Sequence, residues 1–399
     1  MTAAGATPSA GPLTGVRVLE VGGIGPGPFA GLLLADLGAA VTRIERAQGG
    51  ADSGTHRILL RGRRQLAVDL KDPRGQEVVL RLADASDVLI EGFRPGVMER
   101  LGLGPDTVLT RNPRLVYGRM TGWGQDGPLA DSAGHDINYI AVAGALQPIA
   151  APDLTPVAPL NMLGDFGGGG MLLVAGILAA LIHARATGQG QVVDAAIVDG
   201  TALLTAMLHS MRAGGRWDAP RGQNLFDGGA PFYGVYASAD ERWLAVGAIE
   251  PRFYAALLRG LGLTGELASL PQHDRHHWPA TRERFAAVIA GRTLAEWLAI
   301  FAGTDACVSE VVDPARVTEH PHLALRRTYV EDHGLLQPAP APRFSATPLA
   351  MPAPAPEPGS SEPGLLTALG LSHEDIQELI ADGVVGAPLT ETVGASPER

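Results

Sequence analysis

Apolar residues fall in short clusters, separated by polar or glycine-rich turns. Val16–Val21 reads as a strand buried on both faces, Gly22–Pro28 as a Gly/Pro loop, and Phe29–Leu37 as a helix stopped by Gly38 at its C′ position. Ala40–Ile44 is a second strand, completing a βαβ unit. The alternation continues with strands at Leu66–Val68, Val88–Ile90, Leu115–Met120 and Gln191–Val198. Asp72 is a good N-cap and Pro73 a good first residue for a helix running to about Ala85, and a further helix is expected from Thr201 to about Arg212. Continuous apolar strands alternating with helices predict an α/β fold with an open, mostly parallel, Rossmann-like sheet.

Beyond Arg212 the pattern changes. Arg212–Gly229 is rich in Gly, Arg and Asp, and Tyr233–Ser238 with Arg242–Val246 reads as a hairpin around Ala239–Glu241. Glu250 sits at a strand-to-helix junction with Pro251 as first helical residue, and Thr293–Glu296 is a capping box. Residues 225–325 are therefore expected to form a smaller α+β domain, with 13–211 and 326–399 forming the large one. Gln337–Pro363 is proline-rich and predicts an extended linker; Ser372 then caps a helix to Asp382, with Gly383 at C′. The longest apolar run, Met171–Ile182, is too short to span a bilayer even with Phe166–Gly170 added, so a core helix is expected.

Composition narrows the class. With 399 residues, 46% of them hydrophobic, the chain can bury a large core. A net charge of −11 argues against coating nucleic acid, so an anionic ligand must meet local basic clusters. The one cysteine, Cys307, makes no intramolecular disulfide and no thiolate zinc site; a small buried hydrophobe is its expected role. Residues 1–12 lack a positive n-region and are expected to be a loose, disordered tail, not a signal peptide. A soluble, cytoplasmic protein without membrane insertion is expected.

Candidate chemistry concentrates between Gly134 and Gly170. Gly134-His135-Asp136-Ile137-Asn138-Tyr139 lies at one end and Asn161-Met162-Leu163-Gly164-Asp165-Phe166, followed by four glycines, at the other. Imidazole and carboxylate are the commonest general acid–base groups. The glycines lead into the apolar run, as at a helix N-terminus with free N–H groups. Read singly, Asp165 could be an N-cap and His135 a loop residue. A second pattern competes. Gly25-Pro26-Gly27-Pro28-Phe29-Ala30 fits the G-x-G-x-x-A dinucleotide fingerprint, with Glu45 where a ribose-binding acid would stand. Pro26 and Pro28 remove two donors from that loop, and Arg46 suits a terminal phosphate, so on the residues alone NAD and CoA remain open.

Taken in order, the motifs are specific. They are G-I-G-P-G-P (Gly23–Pro28), E-G-F-R-P-G-V-M-E-R-L-G (Glu91–Gly102), G-H-D-I-N-Y, G-D-F-G-G-G, A-I-E-P-R-F-Y (Ala248–Tyr254) and a C-terminal L-G-L-S-H-E-D-I. From about Leu13 to Val385 the chain resembles the α-methylacyl-CoA racemases of the class III CoA-transferase superfamily. The resemblance implies an interlocked homodimer, each small domain covering the partner's site, and a half-Rossmann unit that takes CoA rather than NAD. It implies His135 and Asp165 as the acid–base pair, with Glu250 orienting the histidine. Ile24, Arg46, Val68, Asp69, Leu70, Lys71, Gly92, Phe93, Arg94, Arg100, Gly134, Asp136, Ile137, Asn138 and Tyr139 would line the CoA groove. Arg43, Arg46, Arg57, Arg61, Arg63, Arg64, Lys71, Arg94 and Arg100 make this region basic within an acidic chain, and guanidinium matches phosphate well. Arg61, Arg63 and Arg64 match the family only loosely.

Inverting the α-carbon of a thioester needs one group on each face, one taking the proton as the other delivers it. That chemistry requires neither metal nor organic cofactor, CoA being part of the 2-methylacyl-CoA substrate. The enolate oxygen would be met by N–H groups after Asp165. One alternative is CoA transfer between acids, with Asp165 attacking the thioester carbonyl; such transferases usually carry an aromatic residue where this chain has His135. Another is a non-catalytic CoA- or NAD-binding protein. The acyl chain itself is not legible.

Overall fold

The computed structural model describes residues 11–46, 56–150, 155–358 and 360–388. Residues 1–10 of the expected tail lie outside that range, while Leu13 N already donates to Leu37 O at 2.9 Å. The chain divides into two compact units. The first holds Met1–Ala143, Leu160–Leu204 and Val330–Arg399; the second holds Gly144–Pro159 and Thr205–Tyr329. Gly144–Pro159, placed in the large domain by the sequence pattern, clusters with the second unit, where Arg221 Nη1 donates to Gln147 O at 3.0 Å.

In the first unit six strands pair in the order β3-β2-β1-β4-β5-β6. These are β1 (Arg17–Val21), β2 (Ala40–Arg46), β3 (Arg63–Val68), β4 (Val88–Glu91), β5 (Val116–Thr121) and β6 (Gln191–Ala196), and every pairing is parallel. The order reverses between β1 and β4, the crevice where open α/β sheets bind ligands. Side chains alternate between two cores. Val18, Val41, Val88, Ile90 and Val116 face α1 (Pro26–Asp36) and the apolar helix beyond Leu172; Leu19, Val21, Ile44, Leu66 and Leu89 face α2 (Pro73–Asp84) and the C-terminal helices. Short helices α3 (Val97–Arg100) and α4 (Pro105–Arg111) follow β4, and α5 (Asp136–Val142) follows β5.

Three charged residues share the α1-side face. Glu20 and Arg43 are direct cross-strand partners on β1 and β2, and Arg63 on β3 reaches the same carboxylate at 3.1 Å. All three are buried. Gly31 of α1 packs onto the cluster: a Cβ there would lie 2.4 Å from Glu20 Oε2. Arg61 pairs separately with Asp36, also buried. Arg43, Arg61 and Arg63 thus leave the basic surface expected from the sequence and become internal.

The four glycines do not precede a helix. Met162–Met171 is π-helical and runs without a break into α6 (Leu172–Thr187). The glycines serve close packing: a Cβ on Gly168 would sit 2.7 Å from Thr201 N, and one on Gly170 2.9 Å from Pro26 O. The joined helix, 26 residues, is long and apolar enough to cross a bilayer by length and composition alone, contrary to the sequence estimate. Leu173, Ile177, Ala180 and Ala184 are buried in the core over β5 and β6, the place of a core helix. The expected helix from Thr201 is two, α7 (Ile197–Leu204) and α8 (Ala206–Ala213), parted at Thr205 where the first unit ends.

The proline-rich stretch is tied down. Gly62 N donates to Ala353 O at 2.7 Å, Glu362 N to Gln65 O at 2.9 Å, and Ala67 N to Ser361 Oγ at 3.2 Å. It follows a short antiparallel pair, β10 (Tyr329–Asp332) and β11 (Leu335–Pro338), and runs along the edge strand β3, whose free backbone groups it satisfies. Helices α14 (Gly364–Ala368) and α15 (His373–Ala381), the latter capped by Ser372, complete the unit.

The second unit has a three-stranded antiparallel sheet, β7 (Tyr233–Ala237), β8 (Trp243–Gly247) and β9 (Val308–Glu310), in that order. Its longer helices are α9 (Pro251–Leu261), α11 (Trp278–Ile289) and α12 (Leu294–Phe301); α10 (Thr264–Leu267) and α13 (Pro321–Arg326) are short. Phe232, buried and edge-on to Tyr254 and Trp278, centres its core, and the Thr293 capping box opens α12.

Removing Glu20 strands two buried guanidinium groups. Glu20→Ala is expected to destabilise the protein by about 3–5 kcal/mol. Urea unfolding checks this, and an unmoved midpoint would mean that the cluster is not held by Glu20.

Candidate active site

The β1–α1 loop is clamped at both ends. Arg43, anchored on Glu20, donates to Gly22 O at 3.1 Å and Gly23 O at 3.0 Å, and Arg63 donates to Pro28 O. Between these clamps Ile24 is exposed, and Gly25 holds φ 66°, a left-handed conformation that suits glycine. The loop after β4 is fixed in the same way. Glu91 accepts from Phe93 N at 2.8 Å and from Arg119 Nε at 3.1 Å, and Arg119 also reaches Glu99. The Phe93 ring packs on Gly22, so the two loops meet at the crevice.

Arg46 ends β2 exposed and in register with Val68 on β3, which brings it beside the Val68–Lys71 segment. Within that segment Val68 is buried, Leu70 packs against the core, and Asp69 accepts from Lys71 N at 2.9 Å; Lys71 itself is exposed. Gly92, Arg94 and Arg100 are exposed or flank exposed backbone beside the β4 loop. The dinucleotide reading fails here on geometry. Glu45 is occupied by Arg43 Nε and mostly buried, and Pro26 and Pro28 lie inside the first turn of α1, where pyrophosphate would need N–H donors.

His135 is the exposed N-cap of α5. Its backbone is fixed by Asn138, whose N donates to His135 O at 2.8 Å and whose Oδ1 accepts from His135 N at 3.0 Å. Asp165 rides in the first turn of the π-helix. Its N–H donates to Asp136 Oδ2 at 2.6 Å, which ties the aspartate motif to the residue next to His135. Asn161 Nδ2 donates to Asp165 Oδ2 at 3.3 Å, and a Cβ on Gly25 would lie 3.2 Å from the same oxygen. Burial pushes the Asp165 carboxyl above the usual carboxylate range; the Asn161 bond opposes this, the Asp136 charge adds to it, and His135 opposes it.

The remaining residues of the first motif are engaged internally. Asp136 is buried, and Tyr139, also buried, donates its hydroxyl to Gly134 O and meets Trp123 edge-on at 4.8 Å. Ile137 is exposed. Asp165 N is itself spent on Asp136. A second set of N–H groups without an intrahelical partner is that of Asp136 and Ile137, at the start of α5 beside His135. Glu250 lies in the second unit as the N-cap of α9. Among the described residues no group of three or more His, Cys, Asp or Glu side chains is arranged to hold a metal ion. Cys307 is exposed, not buried as expected. The sequence reading missed Asn161, the side-chain role of Asp136, and the Glu20–Arg43 clamp. Only Asn161 left a local signal, its four-residue spacing from Asp165.

The sequence profile of CoA-transferase family III matches residues 13–362. The chain belongs to CoA-transferase family III. Within the family it is 46% identical to the alpha-methylacyl-CoA racemase of Mus musculus over 94% of this chain and 97% of that one. It is 45% identical to the human protein of the same name over the same shares. Among solved structures, Rv3272 from Mycobacterium tuberculosis superposes with a TM-score of 0.74 at 27% identity, covering 88% of this chain and 98% of that one. The six-stranded parallel sheet is thus the α/β fold of the family.

Gly168→Ala tests the packing that carries Asp165. The added methyl gains up to ~1 kcal/mol of helix propensity but meets the Thr201 backbone. A net loss of about 1–3 kcal/mol is expected, as for overpacking, together with reduced activity. Thermal unfolding of the variant checks this; a gain in stability would mean that α7 yields freely.

Proposed function

We propose that the protein is an isomerase that interconverts the 2R and 2S forms of 2-methylacyl-CoA thioesters through an enolate. One observation carries the reading: the Asp165 N–Asp136 Oδ2 bond, which holds a half-buried carboxyl beside an exposed, N-capping histidine. Identity of 45–46% to two racemases over nearly the whole chain supports it. In the proposed mechanism His135 takes the α-proton of the 2S ester while Asp165 delivers one to the opposite face; from the 2R ester the roles exchange. The α5 N–H groups meet the enolate oxygen. Glu250 is the third proposed catalytic residue, holding the tautomer of the histidine. Arg46, Lys71, Arg94 and Arg100 are proposed to receive the phosphates of CoA, each as a charge-assisted contact. The chemistry calls for no metal or organic cofactor.

A homodimer is part of the proposal. Met162, Met171, Ile182, Leu203 and Leu204 of the first unit are exposed, as are Tyr233, Val235 and Trp243 on one face of the second unit's sheet. These exposed apolar side chains support an interaction surface on each unit. Sedimentation at assay concentrations is expected to give two chains per particle, and a fully active monomer would sink the idea.

Exchange in heavy water from each pure epimer tests the chemistry. His135→Ala should keep some deuterium uptake into the 2R ester and lose it from the 2S ester; Asp165→Asn should do the reverse, and neither should invert. The loss should be of the order of 10²–10⁴-fold. Wild-type rates in both variants would remove these residues from the site. Loss of acyl transfer to a free acid in Asp165→Asn alone, with His135→Ala unaffected, would make the protein a transferase.

A further inference from the structure

Asp136 is buried in the first turn of α5, and its side chain points away from solvent into the π-helix. One oxygen, Oδ2, accepts from Asp165 N at 2.6 Å. The other, Oδ1, is buried and has no hydrogen-bond partner among the described residues. Gly164 packs closely on the carboxylate: a Cβ there would lie 2.5 Å from Oδ2 and 2.9 Å from Ile140 Cγ2. A buried carboxylate with one unsatisfied oxygen is costly, so its retention calls for a role. Its neighbour is the proposed acid–base group of the 2R face.

We infer that Asp136, through its side chain, is a positioning residue for Asp165: its carboxylate fixes the Asp165 backbone and sets a negative charge beside the Asp165 carboxyl. The inference rests on the racemase reading and deepens it. Like charge nearby disfavours the ionised form, so Asp165 holds its proton more tightly and, once ionised, is the stronger base. The direction found for Asp165 agrees, with Asp136 among its causes after burial. Other groups around Asp165 are accounted for. His135 opposes the shift, Asn161 donates to Oδ2, and Tyr139 of α5 senses the Asp165 charge and that of Arg94. The β1–α1 loop presents Gly25, which is not titratable. Of the other elements packed on the helix, β5 carries Arg119, paired with Glu91 and Glu99, β6 carries Asp194, and α7 carries the exposed Asp199.

The test is Asp136→Asn, whose amide oxygen can still accept from Asp165 N while the charge is gone. Initial deuterium uptake from the 2R ester is followed across pH. Proton abstraction needs ionised Asp165, so the rate climbs as pH rises through its titration. Removing the Asp136 charge moves that climb to lower pH and weakens the base. The variant is therefore expected to exchange faster than wild type on the acid side and slower on the plateau, so the two curves cross. A purely structural role would lower the rate by one factor at every pH, and that result, or an unchanged profile, overturns the inference. Continued uptake from the 2S ester shows that the site is assembled. A second readout does not depend on activity. With carbon-13 aspartate labelling, the carboxyl resonance absent from Asp165→Asn should titrate at lower pH in Asp136→Asn than in wild type; the same titration in both overturns the inference. In wild type alone that resonance should titrate above the ordinary aspartate range, and a value at or below it overturns the inference even if the variant does not fold. A wild type that takes up no deuterium from either epimer fails the racemase reading instead, while the resonance still decides the role of Asp136.

Discussion

One buried carboxylate, Glu20, holds the corner of the sheet from which the site is built. Arg43 and Arg63 converge on it from neighbouring strands, and each also donates to the β1–α1 loop, at Gly22 and Gly23 on one side and Pro28 on the other. A buried ion pair of this kind gives little net stability against an apolar alternative, because desolvation consumes most of the attraction. What it supplies is position. The loop between the clamps brings Gly25 against the Asp165 carboxyl, and that contact is part of what takes water away from it. The same arginine closes off Glu45, so the ion cluster that shapes the loop also removes the acid a dinucleotide ribose would need.

Much of this fold is written in local signals. Each of the strands β1 to β6 carries a short apolar-rich segment, as a parallel strand packed on both faces requires. Asp72, Thr293 and Ser372 cap their helices as read, because capping depends on a few adjacent atoms. What was not legible depends on partners far along the chain. The four glycines carry the same letters whether they open a helix or let two helices touch; the choice is made by Gly200 and Thr201, some thirty residues away in sequence and in contact in space. Arg43, Arg61 and Arg63 look like surface charge until Glu20 and Asp36 are seen beneath them. The prolines of 338–363 suggest a free linker, but strand β3 needs its outer edge covered, and that need is a property of the sheet, not of the segment.

The site follows the same division. His135 and Asp165 were found as residue types in motifs, and resemblance to a family chose between their possible roles. How they meet was not in either motif. It is one hydrogen bond from the second motif to the first, made by a residue, Asp136, that the sequence suggested for ligand contact. Tyr139 likewise turns inward, while Asn138 holds the helix start from the surface, leaving His135, Ile137 and Asn138 as the exposed side chains of the motif.

Why the two proposed acid–base groups sit so differently follows from what the proposed inversion demands. An imidazole and a carboxyl in water differ in proton affinity by about 2–3 pH units. Left so, the pair would rest almost wholly as imidazolium and carboxylate, ready to receive substrate from one face and idle toward the other. Epimers that differ only at the α-carbon have similar free energies, so a useful catalyst must be populated for both directions. Burying the carboxyl and placing a second carboxylate behind it raises its proton affinity, while the histidine stands at an exposed helix start. The surroundings of Asp165 thus work against the low proton affinity of a carboxyl in water, and it is the fold around Asp165, not its identity alone, that does so.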